Sequence, residues 1–468
     1  MSYGLTYRPS EKLAISLFSR NGDDFGGSLT IGGNPYKPLA RQATNKAPVT
    51  VVPRAALGVD FGTAWSQGAA TSQTLGPKLK DIIENEGYSM KASRVTADRI
   101  DIEINEPTTF VTPQAIGRIS RALAMAAPAS VENFAITIMD SDNIPTSTVI
   151  VNRSALEKQQ GQFDAGQLSL ASSQIVGGTK LSGSDVYRVP KQNSFSVSGG
   201  FSKEGSFTDD QDPLLLIPSV TGKVQSTIGL SATAKMSLNI GDKERVVEPS
   251  DIGVAIRSDS ADYRRSGTTL DRLSADYKFK MGTSLYGRVS AGYLDTQFAG
   301  LDGEILYAPA QSPFAVGLQV AQVTKRAPDS YFDLGDYKTT TGHITGYWDT
   351  GYQGIELSAS YGRYLAEDWG NTFGVSKKFA NGWEVAGKLT ASEHFYDSQD
   401  TSYLVPEIQV QVPLKWGAPF DMKTKLPWTI NNSSTDAGRT LDTPNGLYDS
   451  VRDYDAADYT QRWGGFWQ

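Results

Sequence analysis

Phe314-Ala315-Val316-Gly317-Leu318-Gln319-Val320 sets large apolar residues at every second position and small or polar ones between them. A period of two sends the two sets to opposite faces of a β-strand. The same alternation returns in Leu273–Phe279, Ile355–Tyr361, Trp383–Leu389 and Ile408–Leu414. The intervening residues are mostly Ser, Gln, Lys, Glu and Gly, which suit a wetted face. Many such strands, rich in Tyr, Trp, Gly and Thr and joined by Gly/Asn/Asp turns, predict a mostly β fold: a transmembrane antiparallel β-barrel. About twelve strands are expected between Pro218 and Leu414. Phe314, Val316, Leu318 and Val320 would form part of its lipid face.

Composition agrees with that reading. The 468-residue chain has a net charge of −7 and a mean hydropathy of −0.33. It holds no run near the ~20 apolar residues that a membrane helix needs, and barrel strands average out as hydrophilic in any case. No Lys/Arg-dense block marks a nucleic-acid footprint. Cysteine is absent, which removes disulfides, thiolate zinc sites and cysteine nucleophiles. Met1 runs directly into the strand-like Tyr3–Tyr7 with no secretory leader. A fragment of a longer envelope protein is therefore expected.

Five segments follow. Residues 1–33 read as three strands closing an upstream barrel, since three strands alone leave open edges. Residues 34–78, rich in Pro, Ala, Gly, Gln and Thr, read as a linker. Residues 79–158 read as a small α+β domain. In it a helix over Leu79–Glu86 precedes a strand at Arg99–Ile104, and a second helix opens at Thr112-Pro113 with Pro in its first turn. Strands at Phe134–Ile138 and Val149–Val151 complete it. The helices should each bury one stripe (Leu79, Ile82 and Ile83; Ile116, Ile119, Leu123 and Ala126) and turn Lys80, Asp81, Glu84, Arg118 and Arg121 to solvent. Residues 159–214 read as a Ser/Gly-rich connection, and residues 215–468 as the C-terminal barrel.

Little in the chain looks catalytic. His343 and His394 are the sole histidines, no Gly-x-Ser-x-Gly elbow accompanies them, and no spacing suggests a metal site. Asp209-Asp210-Gln211-Asp212 lacks the glycine and closing glutamate of a calcium loop. Glu356, Glu367 and Asp368 could flank a sugar as a carboxylate pair, but strand alternation and turn chemistry explain them too. The most distinctive string is Gly362-Arg363-Tyr364-Leu365-Ala366-Glu367-Asp368. Continuing the strand register would send Arg363 outward, so a break at Gly362 is expected, with Arg363 paired to Glu367 or Asp368 at the barrel mouth. Arg363, Tyr364, Glu367, Asp368 and His343 are the candidates for the mouth or a polysaccharide path. Tyr286, Tyr293, Tyr307, Tyr347, Trp348, Tyr361, Tyr364, Trp383 and Trp416 fall near strand ends, where interfacial aromatic girdles are expected.

Four strings in order carry a family resemblance: Gly303–Pro309 (GEILYAP), Thr341–Trp348 (TGHITGYW), Gly362–Gly370 (GRYLAEDWG) and Lys378–Trp383 (KFANGW), with Arg439-Thr440-Leu441 after them. The chain resembles the YjbH family of exopolysaccharide and capsule biosynthesis proteins, which includes the capsule protein GfcD, most closely over residues 210–452. That resemblance implies a Gram-negative outer-membrane lipoprotein with two barrels joined by a periplasmic region. Its partners would be outer-membrane lipid, an extracellular polysaccharide and other envelope proteins of an export system, with no cofactor and no nucleic acid. The chain would lack the signal, the lipid-bearing cysteine and most of the first barrel. The expected role is non-catalytic assistance to polysaccharide assembly or export. A lyase or hydrolase working in the lumen and a general diffusion porin are the alternatives.

Overall fold

A computed structural model of the chain describes residues 3–10, 13–20, 24–31, 47–57, 69–107, 111–190, 193–204, 215–226, 229–239, 250–264, 267–413, 425–431, 435–443 and 446–468. The acidic stretch at residues 209–212 and Trp416 lie outside the described residues. Among the described residues no helix is long and apolar enough to cross a membrane.

The described strands form three sheets. β1 (Tyr3–Ser10), β2 (Leu13–Arg20) and β3 (Asp24–Ile31) make an antiparallel meander, as the alternation of Leu13, Ile15 and Leu17 requires.

The second sheet belongs to an α+β unit built from α1 (Ala69–Asn85), β4 (Met90–Val95), β5 (Arg99–Asn105), α2 (Thr112–Ala126), β6 (Asn133–Met139), β7 (Pro145–Asn152), α3 (Arg153–Gln159), α4 (Ala165–Ser172), β8 (Gln174–Gly177) and β9 (Val186–Arg188). Its strand order is β8-β7-β6-β5-β4-β9. β5 and β6 run parallel through the α2 crossover, and Ile100, Ile102 and Ile104 lie opposite Phe134, Ile136 and Ile138, all six buried. The unit is larger than the 79–158 expected. Val51 packs in its core, and Arg54 pairs with Glu132 at 2.9 Å and Glu157 at 3.0 Å. Both come from the stretch read as linker. The edge strands β8 and β9 fall outside the expected bounds because each is very short, and so shows no periodicity.

Arg118 and Arg121 are also corrections: neither faces solvent. Arg118 pairs with Glu86 at 3.0 Å, and Arg121 donates to the carbonyls of Phe466 at 2.8 Å and Gln468 at 3.1 Å. Of the expected stripe of α2, Ile116, Ile119 and Leu123 are buried, whereas Ala126 in the last turn is exposed. Its polar side is covered as well, by the end of the chain.

The third sheet holds thirteen antiparallel strands in sequential order, against about twelve expected. They are β10 (Ser194–Glu204), β11 (Leu215–Gln225), β12 (Leu230–Asn239), β13 (Gly267–Met281), β14 (Leu285–Tyr293), β15 (Phe298–Tyr307), β16 (Phe314–Arg326), β17 (Leu334–Asp349), β18 (Ile355–Arg363), β19 (Trp369–Lys378), β20 (Glu384–Ser392), β21 (Val405–Pro413) and β22 (Lys425–Asn431). The sheet thus starts within the stretch read as a connection. No ladder between β10 and β22 occurs among the described residues. In a thirteen-strand meander those two strands point the same way, so a closing ladder between them would be parallel.

The two faces of this sheet differ sharply. Val289, Leu301, Ile305, Phe314, Val316, Leu318, Val320, Ile344 and Phe373 are exposed, while Asp271, Arg272, Asp276, Arg288, Asp302 and Glu384 on the other face are buried. Aromatic pairs edge the exposed band at both ends. Phe314 stacks on Trp348 with ring centroids 5.9 Å apart at one end, and Tyr361 lies 5.6 Å from Trp369 at the other. Tyr307 also faces outward, but Tyr286 and Tyr364 are buried and Tyr347 stacks on Tyr448 at 3.6 Å. These three sit in the inner register and do not belong to a girdle.

The α+β unit meets the end of the sheet that carries the turns 282–284 and 308–313. Asp142 pairs with Lys223 at 2.7 Å and Lys278 at 2.9 Å. Lys280 donates to the carbonyls of Pro145, Thr146 and Gly178 at 2.8, 3.1 and 2.8 Å. The opposite end carries the connection 393–404, which includes α5 (Glu393–Ser398).

The expectation that the barrel extends to residue 468 is corrected by the last residues, which pack in the α+β unit. Residues 435–443 and 446–453 run along the inner face of the sheet, the latter through α6 (Leu447–Val451). Beyond them, α7 (Ala456–Arg462) and the following turn insert Tyr459, Trp463 and Phe466 into the core of the α+β unit. Trp463 Nε1 donates to Ser169 Oγ at 2.9 Å, and Ser147 and Tyr459 share a hydrogen bond of 3.1 Å.

Asp455 caps α7 by accepting from the Asp458 amide at 2.8 Å, and burial raises its pKa to about 7. A carboxyl whose folded pKa lies above its unfolded one holds its proton more tightly when folded, so stability falls as pH rises from about 4 to about 7. The loss is at most about 4 kcal/mol for a shift of this size. Hydrogen-exchange protection of α7, corrected for intrinsic rates, should therefore fall between pH 5 and pH 8. Asp455→Asn, which keeps the capping oxygen, should flatten that slope. An unchanged slope in the variant would assign the pH response to another group.

Candidate functional site

The Gly362–Asp368 string forms the hairpin between β18 and β19. The strand continues through Gly362 to Arg363, so the break comes one residue later than expected, after Arg363. Arg363 stays in the outward register and pairs with Glu367 at 3.1 Å, also donating to the Thr340 carbonyl at 2.7 Å. Both side chains of the pair are partly exposed, at 29% and 47%, so its contribution is of the order of a surface ion pair. Glu367 takes a left-handed conformation with φ 70°, which closes the turn.

Tyr364 does the opposite and folds back over the inner face. His343, Gly362, Gly370 and Ser392 form one cross-strand row, and Thr345, Ser360, Thr372 and Thr390 form the next. The two glycines leave the first row bare. A Cβ on Gly362 would meet the Gly342 carbonyl oxygen at 2.0 Å, and one on Gly370 the Ala391 carbonyl oxygen at 2.3 Å. Across this gap the Tyr364 hydroxyl reaches Thr372 Oγ1 at 2.8 Å, which in turn bonds Thr390 Oγ1 at 2.8 Å. The His343 ring lies against Tyr364, with centroids 4.8 Å apart. An aromatic ring laid over strand glycines restores the packing they forgo.

His343 Nε2 is buried without a hydrogen-bond partner among the described residues, so the carboxylate that orients a catalytic histidine is not on that nitrogen. His394 packs against Tyr403 at 5.6 Å, well apart in sequence and partners. Each candidate carboxylate is already engaged. Glu367 holds Arg363, Asp368 accepts the Gly438 amide at 2.7 Å, and Glu356 pairs with Arg452 at 3.0 Å. Among the described residues no group of three His, Asp or Glu could hold a metal ion.

The structure instead draws attention to the segment that Asp368 holds. At the long-loop end Asp436 accepts from the Arg257 amide at 2.6 Å and from the amide and hydroxyl of Ser258 at 2.9 and 2.7 Å. The Leu365 amide donates to the Arg439 carbonyl at 2.9 Å. Farther along, the Leu447 amide donates to Glu304 at 3.1 Å, and Leu447 and Val451 pack with Tyr286, Leu306 and Ala315. At the end nearest the α+β unit, Arg452 bridges Glu356 on β18 and Glu384 on β20. Asp453 pairs with Lys378 on β19 at 3.0 Å. One short segment therefore touches β15, β18, β19 and β20, so the sheet curves around it.

Behind it lies a polar network on the strands. Arg272 pairs with Asp276 at 3.0 Å, and Arg288 pairs with Asp302 at 2.6 Å and Glu304 at 3.1 Å. The Ser290 hydroxyl donates to Asp276 at 2.6 Å. Buried charges of this kind persist only when paired.

Sequence reasoning found the Tyr364 corner and missed Tyr448, Arg452 and Asp453. The signal available was the spacing of Tyr459, Trp463 and Phe466, which places three large rings on one helical face after the capping residue Asp455. That pattern is out of place in a polar tail of a barrel.

Comparison with known proteins agrees with the resemblance in the motifs. The family described as "Exopolysaccharide biosynthesis protein YbjH" (YjbH) matches residues 1–453. A relative from Escherichia coli strain K12, named "Uncharacterized lipoprotein YjbH", is 32% identical over 204 residues. That alignment covers 42% of this chain and 29% of the relative, so the match spans under a third of the relative's length. No solved structure matches. With its family motifs lying on the hairpins that hold the inner segment, the chain belongs to the YjbH exopolysaccharide biosynthesis family.

Proposed function

We propose that the thirteen-stranded sheet is an outer-membrane barrel that assists assembly or export of an exopolysaccharide without chemistry of its own, with the α+β unit in the periplasm. The observation that carries the reading is the distribution of side chains over the sheet. A water-soluble sheet buries its apolar face. This one exposes a band of Val, Leu, Ile and Phe and buries Asp, Arg and Glu, the arrangement that a hydrocarbon surround favours. Aromatic pairs at both ends of the band suit the two membrane interfaces. The α+β unit sits against the short turns, the periplasmic side in barrels of this type. Lipoprotein status in the Escherichia coli relative supports an envelope location. Polysaccharide and other envelope proteins of the export system are the proposed partners.

The two alternatives predict different structures. A general diffusion pore needs an open lumen, whereas here residues 435–443 and 446–453 lie along the inner face. A lyase or hydrolase needs free carboxylates or a positioned base, whereas Glu356, Glu367 and Asp368 are each held by a neighbour. Deleting the gene tests all three. Loss of surface polysaccharide with precursor sugars intact is the expected result. Accumulation of longer polymer would indicate an enzyme, and altered uptake of small solutes alone would indicate a pore.

Leu318 lies 50% exposed within the apolar band. Leu318→Arg should impair assembly in outer-membrane vesicles by roughly 2–4 kcal/mol if the residue is near the bilayer midplane. Assembly equal to the parent would show that this face does not meet lipid.

Protease added to intact cells should spare the α+β unit, and protease admitted to the periplasm should cut it or its flanking connections. Cleavage of that unit by external protease alone would reverse the orientation.

A further inference from the structure

We propose that the loop between β16 and β17, residues 327–333, is a lipid hook: it folds back over the outward wall of the sheet and seats Tyr331 and Phe332 at the headgroup–acyl boundary of the leaflet farther from the α+β unit. The inference rests on reading the sheet as an outer-membrane barrel. It adds lipid as the partner of a loop that lies beyond the strand ends.

The loop is a built structure. The Ala327 amide donates to the Asp333 carbonyl at 2.9 Å, and the Ser330 hydroxyl accepts from the amides of Phe332 and Asp333, each at 3.2 Å. It is fastened to strands other than its own two. The Tyr331 hydroxyl donates to the Thr268 carbonyl on β13 at 2.9 Å, and the Tyr293 hydroxyl on β14 donates to the Phe332 carbonyl at 2.8 Å. Arg326, at the end of β16, donates to the carbonyls of Leu270 at 2.8 Å and Tyr331 at 3.1 Å. Its guanidinium carbon lies 5.1 Å from the centroid of the Tyr293 ring. The hook therefore passes β15 and β14 to reach β13.

It passes them on the outward side. Residues directly opposite on neighbouring strands share a face. Leu270 and Thr268 lie opposite the exposed Met236 and Leu238, and Tyr293 lies opposite the exposed Leu273. Ala299 lies opposite Tyr293. Leu270 and Ala299 are only 6% and 8% exposed, against 42% for Met236 and 56% for Leu301 on the same face. The outward wall is thus sheltered where the hook crosses it.

The hook turns its hydrogen-bonding groups to the wall and leaves its apolar groups outside. Phe332 is 58% exposed, Leu334 53% and Tyr331 43%, and the Phe332 ring meets that of Tyr293 edge-on at 5.7 Å. Contiguous exposed apolar surface marks a site of association, and this patch continues the outward band of Leu273 and Leu301. Continuity with that band makes lipid the partner. Asp329, Asp333 and Asp336 flank the rings and are exposed. Carboxylates resist entry into hydrocarbon, so the rings reach only the interface, the level at which amphipathic aromatic residues gather.

The test uses the absence of cysteine from the chain. Phe332→Cys, Leu318→Cys and Ser402→Cys, each made alone in the full chain, carry an environment-sensitive fluorophore in phosphatidylcholine vesicles. Leu318 is the control in the apolar band, and Ser402 the exposed control on the connection at the hook's end of the sheet. The quenchers are lipids with a nitroxide near the headgroup, lipids with a nitroxide near the chain end, and iodide on both sides of the membrane. The label at 332 should be quenched several-fold more by the headgroup nitroxide than by the chain-end one, and several-fold less by iodide than the label at 402. The label at 318 should respond most to the chain-end nitroxide. Leu334→Cys repeats the measurement in the same patch if Phe332→Cys does not fold. If the label at 318 is quenched by lipid while that at 332 or 334 follows iodide, the hook stands in water and the proposal fails with the barrel intact. Protection of the hook label from lipid and iodide alike would mean that protein covers it, which also overturns the proposal. Absence of lipid quenching at 318 overturns the barrel reading, and the hook with it.

Discussion

Arg452 lies between two carboxylates on different strands, and that arrangement shows the constraint under which the whole chain is built. The large sheet carries its buried charges on the face opposite its apolar band. A charge removed from water must find a partner close by, or the cost of desolvation reaches several kcal/mol. Cross-strand neighbours provide part of the pairing, as Arg288 does for Asp302 and Glu304. For Glu356 on β18, a partner comes from the end of the chain. The sheet and the inner segment are thus mutually dependent: the segment has its charges satisfied by the wall, and the wall has its own satisfied by the segment.

The same segment ties the large sheet to the α+β unit. Helix α2 would present Arg118 and Arg121 to solvent in an isolated domain. Arg121 instead donates to the last carbonyls of the chain, and Trp467 lies 5.6 Å from its guanidinium. The α+β core is therefore completed by residues more than 300 positions downstream, and the unit is not closed by local sequence. Contacts of such long range make the order of folding matter, because the core is complete only once the C-terminal residues have arrived.

The Tyr364 corner illustrates how a distinctive motif can have a packing role. Its glycines, aromatic ring and acidic turn form a compact joint in which each residue fills the need of another. The glycines allow strands to approach, the tyrosine fills the gap above them, and Asp368 reaches from the turn to the Gly438 amide. In this chain the most recognisable string is the part that fastens the inner segment at one end of the sheet.

The sequence by itself determined what repeats locally. Alternation at Phe314–Val320 and Ile355–Tyr361 specified strands and which face each residue takes, because the side-chain period of a strand is fixed at two. Pro113 and the stripe of Ile116, Ile119 and Leu123 specified α2 in the same way. The Arg363–Glu367 pair was legible from turn chemistry, although the break was placed one residue early. Tertiary structure decided everything that depends on distance along the chain. The burial of Arg121, the stacking of Tyr347 on Tyr448, and the path of residues 435–443 and 446–453 each depend on what a remote segment brings. No local period encodes a partner hundreds of residues away: it is chosen by which buried charges and rings are left unsatisfied when the sheet curves.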